Sequence, residues 1–538
     1  MDYDKLIESL SLEDMVGQLL CYDISPKDDP KEVEKILTKI KPGGLFLTGM
    51  DKERIALYTD IVNKNTKIPV IISSDIENGP ETAIKNSGMF PHPMAWGATD
   101  DPDLIKEAGE VSAKICRING VHWTFSPVVD VNYNFQNSAG NIRCISDKPD
   151  HVIKIASAFI DGVQENGYMA ATAKHFPGNG IDERNAHFVT TINPMSQEEW
   201  MDSYGKVYKN MINNKVQSIM IGHDALPSFQ SNDEIDADFG PLPAVLSYSL
   251  MTDLLKNKLG FEGCIVSDAM SMIGVASRVN SLNEVAVKFI KAGGDMVLFP
   301  EPEDFNNLIK AVNDGVISIE RIKDAVKRVL KLKNSVRLFE DQTAVLSEIN
   351  SKTSVDDIGQ RIADKSIKLV RNLSNVIPAK VSKGDKVLLV NIVEPYYHAT
   401  PTNHEFDALK DELEKNGLIV DVVTNTNHRK MAEVMHNYKL LLVNCNFSSQ
   451  TYHGSSLRVG WNNIHAFWRG YILQHPNLIF TSFGDPYKLY DFPYLKTYIN
   501  AFSHSNMSQR AVAKVILGQI EPIGKNPVSF KNFFTIEV

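Results

Sequence analysis

From the N-terminus to about residue 300, short apolar runs alternate with longer stretches in which apolar residues recur at helical spacing. The runs are Gly17–Tyr22, Gly44–Leu47, Pro69–Ser74, His122–Val128, Met169–His175, Val216–His223, Gly263–Asp268 and Asp295–Phe299. Several are rich in β-branched residues, and most are followed by Asp, Gly or Pro. Near-continuous apolar strands separated by helices belong to a parallel sheet covered on both faces. Eight such units fit a closed (β/α)₈ TIM barrel, whose site-bearing loops follow the C-terminal ends of the strands. An open doubly wound sheet is the competing arrangement, but no Gly-x-Gly-x-x-Gly follows any run.

The pattern changes near residue 320. Ile322, Ala325, Val326, Val329 and Leu330 recur at i, i+3, i+4, i+7 and i+8 with Lys and Arg between them, a core-facing helical stripe that closes the barrel region. We therefore expect a barrel domain over residues 1–337 and a polar connector over 338–380 with a helix at Ile358–Val370. Residues 381–538 then form a smaller α/β sandwich domain, with strands at Val387–Ile392, Leu418–Val423, Leu440–Asn444 and Leu478–Ser482.

Composition narrows the partners rather than the fold. A formal net charge of −10, with Lys and Arg scattered among acids, argues against nucleic acid or an anionic membrane as partner. No apolar run approaches the ~20 residues of a membrane span. The acidic start, Met1-Asp2-Tyr3-Asp4, has no apolar stretch behind it, so no signal peptide is visible and the expected location is the cytoplasm. Five cysteines (Cys21, Cys116, Cys144, Cys264, Cys445), none at close metal-ligand spacing, argue against disulfides and a zinc site.

The candidate chemistry lies where a barrel puts it, just past the strands. Asp75, Glu77 and Asn78 follow the third run, and Asp130 and Asn132 the fourth, with Arg143 in the loop beyond. Lys174 and His175 end the fifth, followed by Phe176-Pro177-Gly178-Asn179-Gly180 and then His187. His223 and Asp224 end the sixth, and Asp268 the seventh. Retaining glycoside hydrolysis needs a carboxylate nucleophile and a proton donor at the leaving oxygen. Asp268 suits the first role. A loop histidine such as His187 suits the second, because one group must donate and later accept the same proton. Lys174, His175, Asp75 and Arg143 are suited to hold sugar hydroxyls. Each residue also has a plainer reading: a strand-end aspartate can simply cap the next helix, and Lys174–His175 can be a structural ion-pair element. His175, His187, His223 and Asp268 could also be metal ligands, although none is at i, i+4 spacing.

At this point the sequence resembles glycoside hydrolase family 3, and within it the β-N-acetylglucosaminidase branch. The resemblance begins at Leu10-Ser11-Leu12-Glu13-Asp14-Met15-Val16-Gly17-Gln18-Leu19-Leu20 and continues through Ser74-Asp75-Ile76-Glu77-Asn78-Gly79 and Phe125-Ser126-Pro127-Val128-Val129-Asp130-Val131-Asn132. Its most specific part is Ala173-Lys174-His175-Phe176-Pro177-Gly178, with a histidine twelve residues after His175. Ser267-Asp268-Ala269-Met270 is similar to the family's nucleophile segment, and Gly524-Lys525-Asn526-Pro527-Val528 to a motif of its C-terminal domain. The resemblance implies that Asp268 is the nucleophile and His187 the general acid/base. It implies that Asp75, Arg143, Lys174 and His175 bind the sugar in the first subsite, and that no metal or organic cofactor takes part.

Two positions depart from the pattern. Two residues before the histidine the branch has an aspartate; here it is Asn185, which can accept a hydrogen bond from the ring but adds no charge. Asp182 or Glu183 on the same loop could stand in for it. The arginine that the family places after its Asp-x-Glu motif has no counterpart in Pro80-Glu81-Thr82-Ala83-Ile84. The leading expectation is an exo-acting retaining β-N-acetylglucosaminidase acting on an oligosaccharide or glycoconjugate. The alternatives are a glycoside phosphorylase, a β-glucosidase with an acid such as Glu405 from the second domain, or a catalytically weakened sugar-binding protein on this fold. His398, His404 and Tyr452–His453 are loop residues of the second domain that could reach a site.

Overall fold

A computed structural model describes residues 1–350, 354–393, 405–447, 459 and 465–530. His398, His404, Tyr452 and His453 lie outside the described residues. The chain folds as two compact units. The first comprises Met1–Met89, Pro102–Val131 and Val152–Val355; the second comprises Phe90–Asp101, Asn132–His151 and Asp356–Val538.

The first unit is the barrel. Its strands are β1 (Leu20–Ile24), β2 (Gly44–Leu47), β3 (Ile71–Ser74), β4 (Trp123–Thr124), β5 (Thr172–Phe176), β6 (Ser218–Ile221), β7 (Cys264–Ser267) and β8 (Val297–Leu298). Parallel pairing runs from β8 through β1, β2 and β3 to β4, and from β5 through β6 to β7. Single parallel bridges, Trp123 to Ala170 and Val266 to Met296, join the two arcs into a closed ring. β2, β3, β6 and β7 are buried along their whole length, which is why their sequences do not alternate. Trp123 spans three strands by donating its indole N–H to Thr172 of β5 at 2.8 Å and Ser218 of β6 at 3.1 Å. The closing helix, Ile319–Ser335, starts at a Ser318 cap and buries the expected stripe Ile322, Ala325, Val326, Val329 and Leu330.

The second unit is built on a six-stranded sheet. Its strands are β9 (Lys368–Asn372), β10 (Lys386–Val393), β11 (Ile419–Thr424), β12 (Leu440–Asn446), β13 (Leu478–Ser482) and β14 (Thr497–Asn500), in the order β9-β14-β13-β12-β10-β11. All pairs are parallel except β9 with β14. Successive residues fall into two different apolar clusters. Leu389, Leu442, Ile479 and Ile499 join one, and Leu388, Leu441, Phe480 and Tyr498 the other, so both faces of the sheet are covered.

Three sequence expectations need correction here. The helix expected at Ile358–Val370 is Val355–Ser366, and the chain turns into β9 at Lys368. The reason is tertiary: Lys368-Leu369-Val370-Arg371-Asn372 pairs antiparallel with β14, a partner that local periodicity cannot show. The connector over 338–380 is therefore divided between the units, with the boundary after Val355. Nor does the second domain begin only near residue 381: Phe90–Asp101 and Asn132–His151 also belong to the second unit. Met94, Ala95, Ala98 and Ile142 from these segments bury themselves with Tyr487, Phe502 and Val528. Among the described residues, no helix is long and apolar enough to cross a membrane.

Candidate active site

The C-terminal ends of β3, β5, β6 and β7 carry the site's charged side chains. After β3, Asp75 and Glu77 both reach the β5 residue Lys174, whose Nζ lies 2.6 Å from Asp75 Oδ1 and 2.6 Å from Glu77 Oε1. The Lys174 side chain is 3% exposed, so its charge is held by carboxylates rather than by water. Lys174→Ala would leave two carboxylates with their shared cation removed. We expect an unfolding free energy lower by about 3 kcal/mol, moderated because Asp75 stays 43% exposed. Denaturant titration of the two proteins checks this value.

His175, the next residue, is fixed from behind. The buried Asp130 accepts from His175 Nδ1 at 2.7 Å through Oδ2, while Oδ1 takes the backbone amides of His175 at 3.1 Å and Asn179 at 2.9 Å. This makes Nδ1 the donor and leaves Nε2 as the second ring nitrogen. Beyond β6, His223 is 1% exposed and donates from Nε2 to the Ala269 carbonyl at 3.1 Å. Burial pushes its pKa below the ordinary imidazole value. Burial also pushes the neighbouring Asp224 carboxyl up to about 7, the Thr191 hydroxyl bound to it opposing this and the nearby Asp130 charge adding to it.

Asp268 follows β7 directly. Its backbone amide continues the ladder to the Ile221 carbonyl at 2.9 Å, and its Oδ1 accepts from the Ala269 amide at 2.7 Å. Burial would raise this carboxyl, but the imidazoles of His223, His175 and His187 and the Ala269 amide outweigh it and hold it at about 2. The result is a carboxylate ionised at any physiological pH, a requirement for a nucleophile.

His187 rides on the loop after β5. Gly178 and Gly180 have φ of +119° and +113°, and a Cβ on them would come within 2.1 Å of the Tyr204 ring and of the Val131 carbonyl oxygen. The Tyr204 hydroxyl donates to the Asn179 carbonyl at 2.6 Å, holding this stretch down. Asp182 accepts from the Arg184 amide at 2.9 Å and the Ile192 amide at 3.0 Å and forms an ion pair with Arg184, tying the two ends of the loop together. The group that receives His187 is Asn185. Its Oδ1, buried, accepts from His187 Nδ1 at 2.7 Å and from the His187 amide at 3.0 Å. An amide therefore occupies the orienting position, while Asp182 is bound to Arg184 and Ile192.

Asp75, Lys174, His175, His223, Asp268, Asn185 and His187 all belong to the first unit, whereas Arg143 belongs to the second. There the Arg143 guanidinium donates to the Ala139 carbonyl at 3.0 Å. Sequence noticed Glu77, Asp130 and Asp224 only as strand-end acids, and gave Tyr204 no role. Their signal was position past a strand; which side chain each would hold depends on register across the barrel. Among the described residues, no group of three or more His, Cys, Asp or Glu is arranged to hold a metal ion.

Known proteins show a consistent similarity. Residues 11–332 match the model of the glycosyl hydrolase family 3 N-terminal domain. A β-N-acetylglucosaminidase/β-glucosidase of Cellulomonas fimi is 30% identical, over 96% of this chain and 93% of its own length. A β-hexosaminidase of Nitrosospira multiformis is 34% identical over 41% of this chain and 61% of its own. Among solved structures, the β-glucoside phosphorylase BglX superposes with a TM-score of 0.87 at 29% identity, covering 98% of this chain and 95% of that one. A family 3 β-N-acetylglucosaminidase from Paenibacillus sp. str. FPU-7 shares the fold, with a TM-score of 0.82 at 24% identity over 97% of this chain and 99% of that one.

Proposed function

The chain belongs to glycosyl hydrolase family 3, and from that premise we propose an exo-acting, retaining hydrolase that removes terminal β-linked N-acetylglucosamine. The observation that carries this reading is the placement of Asp268 directly after β7, its Oδ1 held by the Ala269 amide, beside a loop whose His187 ring is fixed at Nδ1 by Asn185 and whose backbone packs on Gly274, six residues after Asp268. In the first step the Asp268 carboxylate attacks the anomeric carbon as the bond to the leaving oxygen breaks. The His187 imidazolium delivers its Nε2 proton to that oxygen, and a glycosyl ester of Asp268 remains. Neutral His187 then takes a proton from water, whose oxygen attacks the anomeric carbon and restores the carboxylate. The Asn185 amide keeps Nδ1 as the donor, so Nε2 is the nitrogen that exchanges protons. Lys174, with Asp75 and His175, supplies charged partners for the sugar hydroxyls, orienting the ring above Asp268.

One observation favours a second reading. The partner of His187 is uncharged, so an incoming phosphate dianion meets one less negative group than it would beside an aspartate. A phosphorylase would transfer the sugar from Asp268 to phosphate instead of water. Nitrophenol release from the N-acetyl-β-glucosaminide and the β-glucoside, with sugar products identified with and without inorganic phosphate, tests both. We expect free N-acetylglucosamine at a rate that phosphate does not change. Accumulation of a glycosyl phosphate would establish the phosphorylase instead. Silence on both sugars, with and without phosphate, would leave a sugar-binding protein.

A further inference from the structure

His187 sits in the middle of a hydrogen-bonded turn: the Asn185 carbonyl accepts from the amides of Phe188 at 3.0 Å and Val189 at 3.3 Å. Backbone packed against such a turn limits where its imidazole can stand. One neighbour so packed is Gly274, six residues beyond Asp268, in the short helix Ile273–Ala276. Gly274 is buried, and a Cβ built on it would lie 2.8 Å from the Ala186 carbonyl oxygen and 3.0 Å from the Val189 carbonyl carbon and oxygen. All of these atoms are backbone, which cannot swing aside as a side chain would. Next to them, the Thr190 hydroxyl donates to the Gly274 carbonyl at 2.8 Å.

The helix is itself tied to the carboxylate. The Met272 amide bonds the Ala269 carbonyl at 3.3 Å, and the Ala269 amide holds Asp268 Oδ1. A short run of backbone thus connects the carboxylate to the turn that carries the imidazole. We propose that Gly274 and Thr190 form a latch that fixes His187 relative to Asp268, and so act as positioning residues for proton transfer. The inference rests on the roles proposed above for Asp268 and His187. It accounts for how an imidazole held by the uncharged Asn185 keeps its working geometry: backbone packing supplies placement that an ionic partner would otherwise help to enforce.

The latch predicts a loss confined to the proton-dependent chemistry. Gly274→Ala pushes the turn away, and Thr190→Val removes the hydrogen bond at nearly unchanged volume. In each variant, kcat/KM for an alkyl N-acetyl-β-glucosaminide, whose leaving oxygen needs a proton, should fall by about 10- to 100-fold. For the dinitrophenyl glycoside, whose leaving group departs without one, the loss should stay within about threefold. Thr190→Ser, which keeps the hydroxyl, should restore most of the alkyl-glycoside activity. His187→Ala is measured alongside. If it loses activity equally on both substrates, the acid/base assignment fails and the latch fails with it. If His187→Ala shows the leaving-group dependence but Gly274→Ala and Thr190→Val do not, the latch alone is overturned.

Discussion

Asp268→Ala is expected to lower kcat on the N-acetyl-β-glucosaminide by at least about 10⁴-fold, because no other group supplies the attacking electron pair. The fold should survive. The substitution follows the last residue of β7, and the bond from the residue 268 amide to the Ile221 carbonyl is made by backbone alone. Unchanged far-ultraviolet circular dichroism would establish that the loss is chemical. Added azide then distinguishes a missing nucleophile from a general defect. With space where the carboxylate stood, azide can attack in its place, and a single displacement inverts the anomeric centre, so the α-glycosyl azide is the expected product. In His187→Ala, by contrast, azide attacks the glycosyl ester of Asp268 and gives the β-glycosyl azide. Formation of the β product in Asp268→Ala would contradict the assignment.

The second large effect is expected from Asn185→Asp. The exchange places a negative charge where the Asn185 oxygen now accepts from His187 Nδ1 at 2.7 Å. A carboxylate there favours the imidazolium over the neutral ring, whereas an amide hydrogen-bonds without that preference. The group that must protonate a leaving oxygen is the imidazolium, so kcat/KM for alkyl glycosides should rise by about 10- to 100-fold. The sign of the pH effect follows from the same charge. The variant ring holds its proton to higher pH, so the alkaline limb of kcat/KM moves upward. With the dinitrophenyl glycoside the gain should be absent. An unchanged alkaline limb would mean that the ring does not donate the proton in the first step.

Much of the barrel could be read from the chain because its strands are buried on both faces and advertise themselves as short apolar runs. Gly44–Leu47 of the barrel coincides with the strand found, as does Leu478–Ser482 of the second unit's sheet. Other runs are displaced at an end: Gly17–Tyr22 starts on the last residue of the helix Leu12–Gly17 and stops short of Ile24, because buried residues continue unbroken from Met15 to Cys21 through the turn between helix and strand. β9 and β14 are short segments whose pairing, β9 with β14 and β14 with β13, is made with residues distant in sequence and leaves no pattern within either. The passage of Phe90–Asp101 and Asn132–His151 into the second unit was likewise hidden, because the aromatic and aliphatic side chains that attract them lie hundreds of positions away. For the proposed site, the roles given to Asp268, Lys174, His175 and His187 rest on motif and strand-end position. Their partners do not. That Asp130 holds His175 and that Lys174 bridges Asp75 and Glu77 depend on register across separate strands, and that Gly274 meets the His187 turn depends on how the segments beyond β5 and β7 pack.

Asp268 as the nucleophile can be tested by trapping the glycosyl enzyme. An N-acetylglucosaminyl fluoride with a second fluorine on the ring forms the ester quickly, through its good leaving group, and hydrolyses slowly. The intact-protein mass should rise by one fluorosugar, and peptide mapping should place it on Asp268. The same treatment of Asp268→Ala should leave the mass unchanged. Fast turnover of activated substrates with no trapped sugar, or a sugar attached to any residue other than Asp268, would rule out Asp268 as the nucleophile.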